Sequence, residues 1–434
     1  MPGPAAGRYW WDGSSLFSAQ HPQLDLVGLL DLHFSLTPLP DEGKAETKLF
    51  ETQRLQAIDY TASVVRTEDL DGTRYRIVAD SFGEEIWLGP DDKIRRISIP
   101  GGKLRIDLEE TPWPEWNVAG PAAASPRPDP VEGVRHVDVT IPGGDVALAA
   151  TLSLPEGAEG PLPVVVFISG SGPQDRRARP GGIDLGTRQV LDRLARRLAV
   201  LHYDDRGTGE STGLYGEADL DRLVSDATAA VAFARTRPEI DPKRVALLGH
   251  SEGGIIAPIL ASRDHELAAI ALMAGTARPL DEVIEDQIRH VLKLQGTSDE
   301  QVAEALREQR AAMAKIEAGE DPGVPGVQGG SAEWLRDHVL HDPAATIVGV
   351  DCPILILNGS KDFQVSADRD ARALAAALDA AGKTNYRLEI LPDLDHLFKR
   401  IEGESTLESY SLPRPVDEGF IHLLEEWFGE TLSK

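Results

Sequence analysis

Cysteine is almost missing from this chain: Cys352 is the only one among 434 residues. A disulfide framework is thereby excluded, and cysteine-based metal sites with it. Cys352 opens an apolar strand, so a buried structural thiol is the expected role. Long apolar runs are missing too, since none reaches the roughly 18 residues that a membrane-spanning helix needs. Behind Met1–Arg8 there is no apolar segment that reads as a signal peptide. A cytoplasmic location is the expectation, although a secreted protein stripped of its leader would read the same. Positive charge is in deficit, because 44 Lys and Arg face 71 Asp and Glu for a net charge of −27. Phosphate backbones and anionic membrane surfaces repel such a chain, so neither nucleic acid nor membrane is expected as a partner. No H-E-x-x-H spacing is present, and no metal is expected. Gly207-Thr208-Gly209 follows a strand, but the third glycine of a dinucleotide fingerprint is misplaced and no helix opens behind it, so no cofactor is expected.

Glycine, by contrast, is abundant and placed with purpose. Val245-Ala246-Leu247-Leu248 is a buried strand by composition, and Gly249-His250-Ser251-Glu252-Gly253-Gly254 follows it at once. A strand ending in Gly-x-Ser-x-Gly and opening into a helix is a nucleophile elbow. The serine sits in a strained turn with its Oγ exposed, and residues without Cβ are needed two positions either side for close approach. Such a serine needs an imidazole to take its proton, and the imidazole needs a carboxylate to hold its tautomer. Both follow in the order the elbow requires. Cys352–Leu357 is a second apolar strand followed by Asn358-Gly359-Ser360-Lys361-Asp362, and Tyr386–Leu391 is a third followed by Pro392-Asp393-Leu394-Asp395-His396. Asp362 and His396 thus lie on loops at the same strand ends as Ser251. Asp395 adjoins His396 in sequence, an awkward position for bonding its Nδ1, so Asp362 is the preferred acid. Upstream, the strand Pro163–Ile168 leads into Ser169-Gly170-Ser171-Gly172-Pro173. The main-chain N–H groups of Ser171 and Glu252 are the expected oxyanion donors.

These stretches, with Gly170–Arg176 and Tyr203-Asp204-Asp205-Arg206-Gly207-Thr208-Gly209-Glu210-Ser211, resemble the bacterial α/β-hydrolase serine esterases related to dienelactone hydrolases and prolyl oligopeptidase-like enzymes. The resemblance runs from about residue 134 to the C-terminus. It implies an α/β-hydrolase fold and a serine hydrolase acting on small-molecule carboxylic esters through an acyl-enzyme. Many relatives carry His where this chain has Ser169, a position that shapes the loop. An acyl-thioesterase or a peptidase of the same fold stays open, as does a non-catalytic binding protein on that scaffold. The region before the hydrolase is too short for the β-propeller that such peptidases carry.

The organisation fits two domains, as a chain of 434 residues suggests. Residues 1–111 contain alternating runs such as Arg74–Val78, Glu84–Leu88, Lys93–Ile99 and Lys103–Leu108. They predict an antiparallel β-meander with one wet face, in a packing or homo-oligomerisation role. Residues 112–132 read as a Pro/Ala-rich linker, and 133–434 as the catalytic domain. There a hairpin, Val134–Ile141 and Val146–Leu154, precedes strands that alternate with helical patterns, predicting a mostly parallel sheet with helices on both faces. About 278–349 is an excess of helical sequence, expected as a cap that shapes the substrate pocket through apolar residues such as Trp334 and Leu335. Six side chains have structural expectations. Glu252 meets the dipole of the helix it opens, and His250 is packed beside the elbow. Asp175, Asp204, Asp205 and Arg206 fix loops by ion pairing, with a substrate carboxylate left open as a partner for Arg206.

Overall fold

The computed structural model describes residues 131–178, 184–320, 332–410 and 412–433, and before them only the backbone of eight strands. These fall into two compact units divided near residue 117. In the first, β1 (Tyr9–Trp11) and β2 (Leu16–Ser18) form an antiparallel pair. The next six strands make a sequential antiparallel sheet: β3 (Lys44–Glu51), β4 (Gln56–Leu70), β5 (Thr73–Asp80), β6 (Glu85–Leu88), β7 (Ile94–Ile99) and β8 (Leu104–Asp107). The four alternating runs coincide with β5 to β8. β3 lies outside those runs, because Lys44, Glu46 and Lys48 alternate only with Ala45, Thr47 and Leu49, a weak apolar signal. The side chains of this unit and residues 112–130 of the expected linker lie outside the described residues.

The second unit is built on an eight-stranded sheet in the order β16-β15-β14-β13-β11-β12-β10-β9. β9 (Val134–Gly143) and β10 (Val146–Pro155) form the antiparallel hairpin, and β10 joins β12 (Ala199–Tyr203) antiparallel. From β12 onward, β11 (Leu162–Ile168), β13 (Ile240–His250), β14 (Ala269–Met273), β15 (Ile354–Gly359) and β16 (Tyr386–Leu391) run parallel. The central strands carry continuous apolar runs, Val164–Ile168, Val245–Leu248, Ala269–Met273 and Ile354–Leu357, because both faces are covered there. Val165, Phe167, Ala246, Leu248, Leu355 and Leu357 pack with α1 (Thr187–Leu194) and the C-terminal helix at Glu418–Thr431. The alternate residues Val164, Val166, Val245 and Leu247 are equally buried. They face the other side, where α2 (Leu220–Thr236) and α3 (Gly253–Arg263) pack on β13.

Four helices intervene between β14 and β15: α4 (Leu280–Leu294), α5 (Asp299–Glu317), α6 (Ala332–Leu340) and α7 (Pro343–Ile347). α5 starts with a reciprocal capping box between Ser298 and Gln301, which closes its first free N–H groups. α4 packs on α5, α5 on α6, and α6 also reaches α2. The insertion therefore rests on the hydrolase core. Among the described residues no helix is long and apolar enough to cross a membrane.

Candidate active site

The elbow is as tight as its glycines require. Ser251 has φ +53°, a left-handed conformation that costs a residue with a side chain about 1–3 kcal/mol. Its N–H donates to the carbonyl of Met273, 2.8 Å away at the end of β14. A Cβ on Gly249 would stand 2.1 Å from the Gly253 carbonyl oxygen, and one on Gly253 would stand 2.2 Å from that of Ile168. On Gly254 it would meet the Cα of Gly275 at 2.7 Å. None of the three has a positive φ, so close backbone approach is what selects glycine here. α3 can start only by running its first turn against the ends of β11 and β14.

Asp362 and His396, the expected acid and base, lie on two loops that touch through their backbones. Ser360 N–H donates to Leu391 O at 2.8 Å and Lys361 N–H to Leu394 O at 2.9 Å. A Cβ on Gly359 would lie 2.2 Å from Leu394 O, so this junction also depends on a glycine. His396 Nδ1 lies 2.8 Å from Asp362 Oδ2, with both side chains buried. Asp362 Oδ1 accepts from the N–H groups of Gln364 and Val365 at 2.9 and 3.0 Å. That carboxylate is thus oriented by its own loop, and its second oxygen is left for the imidazole. Asp395 is fully buried but engaged elsewhere. Its Oδ1 accepts from Leu397 and Lys399 N–H groups, and its Oδ2 pairs with Arg414 at 2.7 Å. It holds the turn that presents His396 and does not touch the ring.

His250 packs beside that ring at 4.9 Å and donates from Nε2 to the His396 carbonyl at 3.1 Å. Burial, with the neighbouring imidazole second, pushes it down to about 3, so it stays neutral. The loop after β11 closes the other side. Ser169 Oγ donates to Asp205 Oδ1 at 2.8 Å, and Gln174 N–H donates to Asp205 Oδ2 at 2.9 Å. Burial pushes the Asp205 carboxyl well up. Gln174 Nε2 donates to Gly170 O at 2.9 Å and more weakly to Ser171 O. Because a trans peptide opposes its C=O and N–H, this turns the Ser171 N–H away from Gln174. Neither that N–H nor the one of Glu252 donates to an acceptor among the described residues. Gly170 lies against the serine, for a Cβ there would stand 3.2 Å from Ser251 Cβ.

Four expectations need correction. Asp205 is bonded by the neutral donors Ser169 Oγ and Gln174 N–H and, among the described residues, not by a cation. Arg206 is buried in a bidentate pair with Asp226, 2.8 Å at both contacts, and presents nothing to a substrate carboxylate. Cys352 is half-buried, one residue pair ahead of β15, with its thiol raised to about 11 by burial. The Glu252 carboxylate does not serve the helix it opens, since it caps no N–H of α3. It accepts from Trp334 Nε1 at 2.6 Å and lies 2.8 Å from His338 Nε2, both on α6 of the insertion. The sequence reading missed this cluster. Its only trace there is a Trp and a His four residues apart, on one face of a helix. Asp204 does fix its loop: Oδ1 accepts from Arg176 N–H and Nε, and Oδ2 from Glu210 N–H.

Known proteins share this layout. A family profile described as serine aminopeptidase, S33, matches residues 187–400. The chain is 29% identical over 296 residues to esterase EstD of Thermotoga maritima, covering 68% of each protein. It is 33% identical over 141 residues to the quorum-quenching protein AidA of Acinetobacter baumannii, covering 31% of this chain and 42% of that one. Among solved structures, Est1E from Butyrivibrio proteoclasticus aligns with a TM-score of 0.45 at 14% identity, over 68% of this chain and 99% of that one. With the elbow on β13 and the parallel sheet around it the chain has the α/β-hydrolase fold, and its residues 187–400 are similar to the serine aminopeptidase, S33, family.

Proposed function

We propose that the protein hydrolyses carboxylic esters through an acyl-enzyme on Ser251, with His396 as the base and Asp362 holding it. The observation that carries this reading is the pairing of a serine at φ +53° on the elbow with a histidine whose Nδ1 is bonded to a buried carboxylate. Asp362 accepts a hydrogen bond from the Nδ1–H and so leaves the lone pair on Nε2. Nε2 takes the serine proton as Oγ attacks the ester carbon. The main-chain N–H groups of Ser171 and Glu252 hold the negative oxygen that forms, each worth about 2.7–4 kcal/mol in such sites. The imidazolium then protonates the departing alcohol, and water repeats the sequence to release the acid. The named activity of EstD supports ester substrates. The helical insertion covers the Glu252 side of the elbow through α6 and is proposed as the cap that selects them.

A peptidase reading is favoured by one observation, the description of the matching family profile. The test serves both. Hydrolysis of p-nitrophenyl esters of graded acyl length is compared with aminoacyl anilides and thioesters, and Ser251→Ala is included throughout. Ester turnover with fluorophosphonate labelling, both abolished by Ser251→Ala, is the expected result. Faster anilide than ester turnover would make it a peptidase. An active Ser251→Ala protein would remove the serine mechanism.

A further inference from the structure

The residue that follows Ser251 carries a buried charge whose partners lie on the helical insertion. Glu252 is 6% exposed, Trp334 2% and His338 3%. The Trp334 indole donates to Glu252 Oε1 at 2.6 Å, and its ring lies 4.3 Å from that of His338. His338 has an acceptor at each ring nitrogen. Nδ1 is 2.8 Å from the Trp334 carbonyl oxygen, one turn earlier on α6, and Nε2 is 2.8 Å from Glu252 Oε1. The second contact is too oblique for a good hydrogen bond, so its strength is that of close charges. A carbonyl oxygen faces Nδ1 and a carboxylate faces Nε2, an arrangement that favours the cationic imidazole over either neutral form.

We infer that Glu252, Trp334 and His338 form a charged tie that fixes the peptide after Ser251 to helix α6, making all three positioning residues for the acylation step. The inference rests on the proposed role of Ser251 and of the Glu252 N–H. Fixing the Glu252 side chain fixes the backbone that carries that N–H, because the residue is held at Cα from both directions. The same contact sets how close α6 stands to the elbow. Binding-pocket shape and oxyanion geometry are therefore coupled through one ion pair. Its loss has two consequences: Glu252 becomes an uncompensated buried carboxylate, and α6 loses its polar anchor to the elbow.

Protonation governs the tie. The Glu252 carboxylate raises the His338 pKa against the opposing effect of burial. Asp337, on the same helix, adds to the rise. The neutral-to-cationic His341 lies beyond it, with its own pKa lowered by burial first and by His338 second. On the Glu252 side the facing groups are Asp205, Tyr203 and Tyr215, all pushed upward chiefly by burial, with Asp205 engaged by Ser169 and Gln174 on its other side. A raised histidine pKa means that the pair is intact below it and lost as pH rises through it.

The test measures kcat, KM and the rate of fluorophosphonate acylation against pH, for the full chain and for Glu252→Gln, His338→Gln, Trp334→Phe and Ser251→Ala. Glu252→Gln and His338→Gln are expected to slow acylation about ten- to a hundredfold, the scale of a displaced reacting group, with a smaller change in KM. The unmodified protein should lose acylation rate on the alkaline side, and His338→Gln should lack that limb. A role in stability alone would leave the limb in place. Folded variants with unchanged acylation and an unchanged alkaline limb would overturn the tie. If Glu252→Gln does not fold, the comparison of the unmodified protein with His338→Gln decides by the limb alone. Turnover by Ser251→Ala would overturn the nucleophile reading, and the tie with it, and is read from a separate arm.

Discussion

Asp362→Asn puts the proposed division of labour among the acids to a quantitative test. In the native protein Asp362 Oδ1 accepts two backbone N–H groups, from Gln364 and Val365, while Oδ2 faces His396 Nδ1 at 2.8 Å. An asparagine has one oxygen, and two fixed N–H donors claim it. Its NH2 must then point at Nδ1, which can answer only by becoming an acceptor. The ring proton moves to Nε2, and the tautomer able to take the serine proton is lost. The neighbouring Asn358 Nδ2, 3.4 Å from Oδ2, would face another donor and reinforces neither state. Because size and loop bonds are kept, the effect should fall on kcat at about 10⁴-fold, or about 5.4 kcal/mol of transition-state stabilisation. Asp395→Asn makes the opposite case. Its oxygen can keep the N–H groups of Leu397 and Lys399, and what is lost is the 2.7 Å pair with Arg414. Breaking a buried pair costs about 3–5 kcal/mol of stability, here an upper bound since Arg414 is partly exposed, with a much smaller change in kcat. The assay is p-nitrophenyl butyrate hydrolysis, with the fraction of folded protein read from urea unfolding. A decrease in kcat below tenfold for Asp362→Asn, or a larger one for Asp395→Asn, would refute the assignment.

Three further outcomes follow from the same geometry. With its folded pKa depressed to about 3, His250 stays neutral while the unfolded chain gains a proton, so stability falls as pH drops below 6.5. Between pH 6.5 and 5 this amounts to about 2 kcal/mol, and urea titrations should show that part of the slope missing in His250→Asn. Gly253→Ala places a Cβ 2.2 Å from the Ile168 carbonyl, against backbone that cannot yield, and should cost about 3 kcal/mol or more, seen as a lower Tm. The Cys352 thiol, raised to about 11, should react with iodoacetamide about a hundredfold more slowly at pH 8 in the native protein than in urea.

What the sequence disclosed and what it withheld divide along a physical line. The elbow is local: its strain and its glycines lie within six residues, so Gly249 to Gly254 announce a conformation that the backbone then adopts. The ends of β15 and β16 are readable for a related reason. Continuous apolar runs define buried parallel strands, and their carboxyl ends share one edge, which brings Asp362 and His396 into one place without any knowledge of side-chain contacts. β3 is poorly readable because its charged residues alternate with the small Ala45 and Thr47, which give little of the apolar period that marks a half-buried strand. The partners of Glu252 are not readable for a different reason. Eighty-two residues separate Glu252 from Trp334 in the chain, and nothing in either segment specifies the other. A carboxylate at a helix start has a satisfactory local explanation in the helix dipole, worth about 0.3–1 kcal/mol, and reasoning from sequence stops there. In the folded protein that modest gain is outweighed by an indole N–H and an imidazole in a buried site, where each contact counts for more. The insertion could be placed from sequence by its length, but its attachment depends on a three-dimensional choice between a local partner and a distant one. That choice falls on the residue next to the proposed nucleophile, so the part of this protein least legible in the sequence is the contact that joins the insertion to the elbow.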